Sequence, residues 1–170
     1  MTGLRTASLI AALITTGISA GLFFIFTNTI MPSLKKSSDR SFVEVMWHIN
    51  RVILNGWFML AFMGALLFIA LAGGLLLGAE SELRSAVLPW VVAALVLYLG
   101  TVGITFAMNM PLNNDLDAAG PVEKVKDLAA LREHFEAKWV RWNAIRTYTN
   151  VAAFGALSAA LLQYGRHTGS

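Results

Sequence analysis

The chain contains no cysteine. Disulfides, thiolate nucleophiles and cysteine-ligated iron–sulfur clusters are therefore outside its chemistry. Charge is also scarce: 14% of the 170 residues are Asp, Glu, Lys or Arg, against about 25% in an ordinary soluble domain. With 56% hydrophobic residues and a mean hydropathy of +0.63, the composition fits neither a disordered chain nor a water-soluble domain. Only three histidines are present, and with the scattered acids they follow no fixed ligand spacing. No glycine-rich loop follows a strand, and Gly73 and Gly74 sit within an apolar run, so dinucleotide binding is set aside. The net charge of +3 does not indicate nucleic acid, because the basic residues flank apolar segments.

What is present is four uncharged stretches, between Arg5 and Lys35, Arg51 and Glu80, Arg84 and Asp115, and Arg146 and Arg166. Each is long enough to cross a bilayer, which takes about 20 helical residues. The first begins like a secretory signal, yet its apolar run continues through Met31, well past the roughly 7–15 residues of a signal core. The expected fold is all-α: one domain over 1–170, an integral-membrane antiparallel four-helix bundle with spans at about 4–31, 52–77, 87–108 and 145–164. Pro32 and Pro111 are expected to stop the first and third spans. The short turn carrying Gly78, Glu80, Glu82 and Arg84 favours antiparallel neighbours.

Ten of the thirteen Lys and Arg residues fall between Pro32 and Arg51 or between Asn109 and Arg146. The positive-inside bias then places both long loops in the cytoplasm and both termini outside, in a cell inner membrane. Each long loop is expected to hold an amphipathic interfacial helix. One runs from Ser41 to Arg51 with Phe42, Val45, Met46 and Ile49 on its apolar face. The other runs from Val122 to Arg146 with Val125, Leu128, Leu131, Phe135 and Trp139, and Pro121 suits its first turn. Gly17 with Gly21, and Ala152 with Ala156 and Ala160, have the spacing that lets helices approach closely, within the bundle or in a homo-oligomer.

The eight asparagines, at 28, 50, 55, 109, 113, 114, 143 and 150, all fall at the basic end. An amide within hydrocarbon must find its hydrogen bonds inside the protein. Helical spacing groups His48, Arg51 and Asn55 on one face, and Trp139, Asn143, Arg146 and Asn150 on another. Two readings compete for this set. The polar groups either cap helix ends and stitch the bundle together, or they line a shared cavity.

The runs Asn109-Met110-Pro111-Leu112-Asn113, followed by Leu116, and Trp139-Val140-Arg141-Trp142-Asn143-Ala144-Ile145-Arg146-Thr147 resemble two signatures of the anthrone-oxygenase-like membrane proteins. The likeness extends over nearly the whole chain, including the segment Trp47 to Arg51. It implies a small four-span membrane protein whose fungal relatives convert anthrones to anthraquinones without a bound flavin or metal, with dioxygen as co-substrate. The implied partners are the lipid bilayer and an apolar aromatic small molecule.

In that chemistry a proton leaves an activated carbon, the carbanion reacts with dioxygen, and the hydroperoxide loses water to give the quinone. His48 is the candidate base, because its ordinary pKa near 6.5 suits proton transfer at neutral pH. Arg51 and Arg146 are candidate stabilisers of the enolate or peroxide. Asn55, Asn109, Asn113, Asn143 and Asn150 are expected to orient substrate oxygens, and Trp47, Trp139 and Trp142 to wall a flat ring. Two alternatives stand beside this. One is a metal or haem held through Glu44 and His48 or His134 with Glu133 or Glu136; the other is a non-catalytic binder or scaffold.

Overall fold

A computed structural model describes residues 1–169, and these form an all-α protein. Five continuous helices carry it: α1 (Thr2–Lys35), α2 (Asp39–Val52), α3 (Gly56–Leu77), α4 (Ser81–Ala118) and α5 (Leu128–Thr168). A short 3₁₀ turn, Val122–Lys124, precedes α5. Three of them, α1, α3 and α4, are long and apolar enough to cross a membrane. Helix α1 packs on α3 and α5, and α4 packs on α3 and α5. Large aliphatic side chains such as Ile14, Ile18, Leu67, Val96 and Leu162 remain exposed on the outside. Such a surface suits hydrocarbon rather than water.

Neither proline stops its helix. A π-helical turn, Phe26–Ile30, precedes Met31-Pro32, and a second, Thr105–Asn109, precedes Met110-Pro111. In each, the Met amide reaches back five residues, to the carbonyl of Phe26 or of Thr105. The wider turn gives the proline ring room against the preceding turn, so the chain stays helical to Lys35 and Ala118.

The fourth apolar stretch is part of α5, 41 residues long. At about 1.5 Å per residue the helix is roughly twice the thickness of a bilayer core of about 30 Å. Its apolar half does not stand out by hydropathy because Arg146, Thr147 and Asn150 interrupt it. Those side chains are buried against the other helices, while Tyr148, Val151 and Phe154 face outward. Hydropathy adds residues along a sequence and does not see which face they occupy.

The loops differ from expectation. Val125 and Pro121 lie outside α5, which starts at Leu128 behind an Asp127 cap accepting from the Ala130 amide at 2.9 Å. Apart from Val45, which is exposed, the apolar faces of α2 and of the first half of α5 are covered by protein. They pack on each other and on the end of α4, burying Phe42, Val43, Met46, Leu112, Leu116, Phe135 and Trp139 in a second core. The first core, farther along the bundle, is built from residues such as Leu9, Ile69, Val91, Tyr98, Leu157 and Ala160. Gly17 serves packing within the chain: a Cβ there would stand 3.0 Å from the Phe154 ring. Gly21 and Ala152 face outward.

Arginines clasp both ends. Arg5 donates to the carbonyls of Leu75 (3.0 Å) and Gly78 (2.8 Å), and Arg84 donates to that of Leu77 (3.2 Å), where the end of α3 leaves acceptors free. At the other end Arg132 donates to the carbonyls of Ser37 and Lys35 and to the carboxylates of Asp39 (2.9 Å) and Glu136 (2.7 Å). The Glu136 bond first, and Asp39 after it, hold its pKa above the ordinary arginine value. Its guanidinium also covers the Phe42 ring at 4.6 Å. Replacing Arg132 with Ala should remove about 2 kcal/mol of stability, read as a lower thermal midpoint in detergent. An unchanged midpoint would show that α1, α2 and α5 hold together without this clasp.

Candidate functional site

The two cores meet at a polar layer centred on α5. Asn143 uses both ends of its amide there. Its Nδ2 donates to the Thr27 hydroxyl at 2.7 Å and the Phe23 carbonyl at 3.2 Å. Its Oδ1 accepts from Arg146 Nε at 3.0 Å and Nη2 at 2.8 Å. Arg146 Nη1 donates to the Thr105 hydroxyl at 3.4 Å. Thr27 and Thr105 belong to the two π turns, so each turn supplies one hydroxyl to the layer.

Arg146 is 6% exposed and makes no ion pair among the described residues. Its guanidinium instead lies over the rings of Phe23 (4.2 Å) and Trp139 (5.3 Å). Cation–π contact and amide acceptors offset part of the several kcal/mol that burying such an ion costs. The remainder leaves the charge at this position incompletely compensated.

Beside the guanidinium lies a cavity of about 180 Å³. Its walls are aromatic and thioether side chains, among them Phe23, Phe58, Phe62, Trp139, Met46 and Met63, and its polar groups are Asn50, Thr105, Asn113 and Arg146. Leu54, Met59 and Phe106 also line it and are 66%, 46% and 48% exposed, so the cavity reaches the outer apolar surface between α3 and α4. The polar wall is tied together: Trp139 Nε1 donates to Asn113 Oδ1 at 2.8 Å, and Asn50 Nδ2 donates to the Asn113 carbonyl at 3.0 Å.

Of the residues singled out from sequence, Arg146, Trp139 and Asn113 line the cavity. Asn143 stands behind Arg146. Asn109 is buried and donates to the Trp139 carbonyl at 3.3 Å. Asn150 lies deeper, donating to Ser19 at 2.9 Å. The face drawn through His48, Arg51 and Asn55 does not exist, because the helix breaks at 53–55 and Asn55 caps α3, accepting from the amides of Trp57 and Phe58. His48 and Asn55 are exposed. Arg51 is also exposed, and pairs with Asp117 at 3.1 Å. Trp47 is half-buried outside the cavity, beneath Arg51 at 4.6 Å, and Trp142 is half-buried beside Arg141. His134 contacts Asp115 at 3.3 Å, and no group of three or more metal-ligating side chains forms among the described residues.

Asn50 and Thr105 are functional candidates that the sequence reading left out of the site. The signal was there for Asn50: Met46, Ile49 and Asn50 follow i, i+3, i+4 and form the face of α2 turned to the cavity, and Ile53, just past the end of the helix, continues it. That face is the one the apolar pattern of α2 already marked. Thr105 is brought in by the π turn, for which spacing alone gives no warning.

Residues 57–156 match the anthrone oxygenase family. The chain belongs to that family. No curated protein and no solved structure matches the chain. In this anthrone oxygenase family member the matched stretch holds Thr105, Asn109, Asn113, Trp139, Asn143 and Arg146, and leaves His48, Arg51 and Asn55 outside it.

The Asn143–Arg146 pair is open to a double-mutant cycle. Asn143→Leu alone strands a buried guanidinium and should cost about 3 kcal/mol, whereas Asn143→Leu with Arg146→Leu should recover most of that loss. Additive losses in thermal or denaturant unfolding would show that the two side chains do not act as a unit.

Proposed function

We propose that the protein is a four-span membrane oxygenase that binds a flat phenolic substrate of the anthrone type and oxidises it with dioxygen. The observation that carries this reading is the Arg146 guanidinium, buried without a carboxylate at the wall of an aromatic cavity. A phenolate or enolate oxygen bound there gains a charge-assisted donor already held in place by Asn143, which favours the ionised over the neutral substrate. The cavity walls, Trp139 and Phe62 among them, suit a fused aromatic ring, and Asn113 and Asn50 offer amide groups to its hydroxyl and carbonyl oxygens. Substrate enters between α3 and α4, at Leu54, Met59 and Phe106, directly from the bilayer. The long loops and the second core face the cytoplasm, where the basic residues lie.

The reaction balances without further reagents. The substrate methylene loses a proton to water, leaving a carbanion conjugated to the ring oxygen at Arg146. The carbanion gives its electron pair to dioxygen, forming a carbon–oxygen bond and a peroxide anion. Protonation and loss of water convert the hydroperoxide to the quinone carbonyl, so one dioxygen becomes one carbonyl oxygen and one water. The base role expected of His48 is withdrawn, because that side chain stands exposed on α2 away from the cavity. Arg146 replaces it by stabilising the enolate, which makes the substrate methylene more acidic.

Oxygen uptake by the purified protein with an anthrone tests the reading. Arg146→Leu should slow uptake by about 100-fold or more, the usual effect of losing a preorganised oxyanion donor. His48→Ala should remain close to the parent. Equal rates in parent and Arg146→Leu would remove the assignment. That the cavity wall carries no histidine or carboxylate favours a second reading, a non-catalytic binder of an acidic aromatic ligand. Binding of an anthraquinone with no oxygen uptake would select it.

A further inference from the structure

The Arg146 guanidinium has donors to spare. Three bonds to Asn143 and Thr105 use Nε and one N–H on each terminal nitrogen. The second N–H of Nη1 and of Nη2 has no acceptor among the described residues, at a side chain that lines the cavity. The neighbouring groups are neutral: the rings of Phe23 and Trp139, the Asn143 amide and the Thr105 hydroxyl.

The cavity also has a polar approach. A depression lined by Asn50, Arg51, Asn113, Asn114 and Asp117 adjoins it, and Asn50, Leu54, Met110 and Asn113 border both spaces. Arg51 and Asp117 stand across this approach as an exposed ion pair, 3.1 Å apart, with side chains 55% and 48% exposed. Such a pair is held weakly and exchanges readily with water. Arg51 and Asp117 balance each other at the entrance, so the uncompensated charge is the guanidinium at the inner wall.

We infer that Arg146 forms a binding site for a small monovalent inorganic anion such as chloride, which arrives through the polar approach between α2 and α4 and occupies the cavity when no organic ligand is bound. One fixed positive charge in an otherwise neutral cavity matches one negative charge. A multivalent anion would bring in excess charge and hold its water more tightly, so it is excluded. The inference uses the same guanidinium as the oxygenase reading and adds regulation to it: a bound halide and a substrate enolate compete for the same N–H groups.

The test needs no turnover. The purified full chain is transferred to a gluconate buffer, and its thermal midpoint is followed as chloride replaces gluconate at constant ionic strength. The expected result is a saturable rise of roughly 3 °C in the parent. Arg146→Lys should keep part of the rise and Arg146→Leu none. An equal response of the parent to added gluconate, or the same chloride response in Arg146→Leu, overturns the site. Should Arg146→Leu not fold, chloride NMR line broadening on the parent decides: broadening that iodide displaces supports the site, and broadening no greater than that of detergent alone overturns it. With an active preparation, chloride should raise the KM for the anthrone and leave kcat unchanged. A chain that shows the chloride response but consumes no oxygen loses the oxygenase reading alone.

Discussion

A guanidinium buried among aromatic rings organises the centre of this protein. Arg146 sits where two hydrophobic cores meet, and everything around it answers the problem of a charge removed from water. Asn143 presents its carbonyl oxygen to the guanidinium and anchors its own amide to α1. Phe23 and Trp139 place their ring faces against the charge. Asn113 and Asn109 in turn hold Trp139 from α4. Removing any of these would leave a buried polar group without its partner, so the layer behaves as one unit rather than as separable bonds.

The two π turns explain how four helices reach this point. Each comes just before a Met-Pro pair, and each turns one threonine hydroxyl, Thr27 or Thr105, toward the polar layer. The halves of the chain also share a Trp-x-x-x-Arg spacing, Trp47 to Arg51 and Trp142 to Arg146. Their environments differ. The first lies in α2 on the side turned away from the cavity, which leaves Arg51 at the surface beside Asp117. The second lies within the unbroken α5, which carries Arg146 into the protein. The same local pattern thus supplies an outer cation at the approach to the cavity and an inner one at its wall.

The family match covers part of this arrangement. The matched stretch contains the inner arginine with Thr105, Asn109, Asn113, Trp139 and Asn143, and leaves out α2 and the α1 residues Phe23 and Thr27. Met46, Ile49 and Asn50 of α2, with Ile53 just past its end, shape the volume of the cavity and supply one of its polar groups.

Composition and periodicity alone were enough to read an all-α membrane protein, the concentration of amides at the basic end, and the stripe of Trp139, Asn143, Arg146 and Asn150 on one face of a helix. Those features are local: they depend on residue type and on 3.6 residues per turn. The tertiary structure decided the rest. It showed that α2 and the start of α5 bury their apolar faces in each other, because an amphipathic sequence does not specify whether lipid or protein covers it. It carried the helices past Pro32 and Pro111, because a π turn is a compromise between proline sterics and packing on neighbouring helices. It also left His48 and Arg51 on the side of α2 turned away from the cavity, and parted Asn55 from them, since the break at 53–55 and the cap at Asn55 reset the phase of the helix.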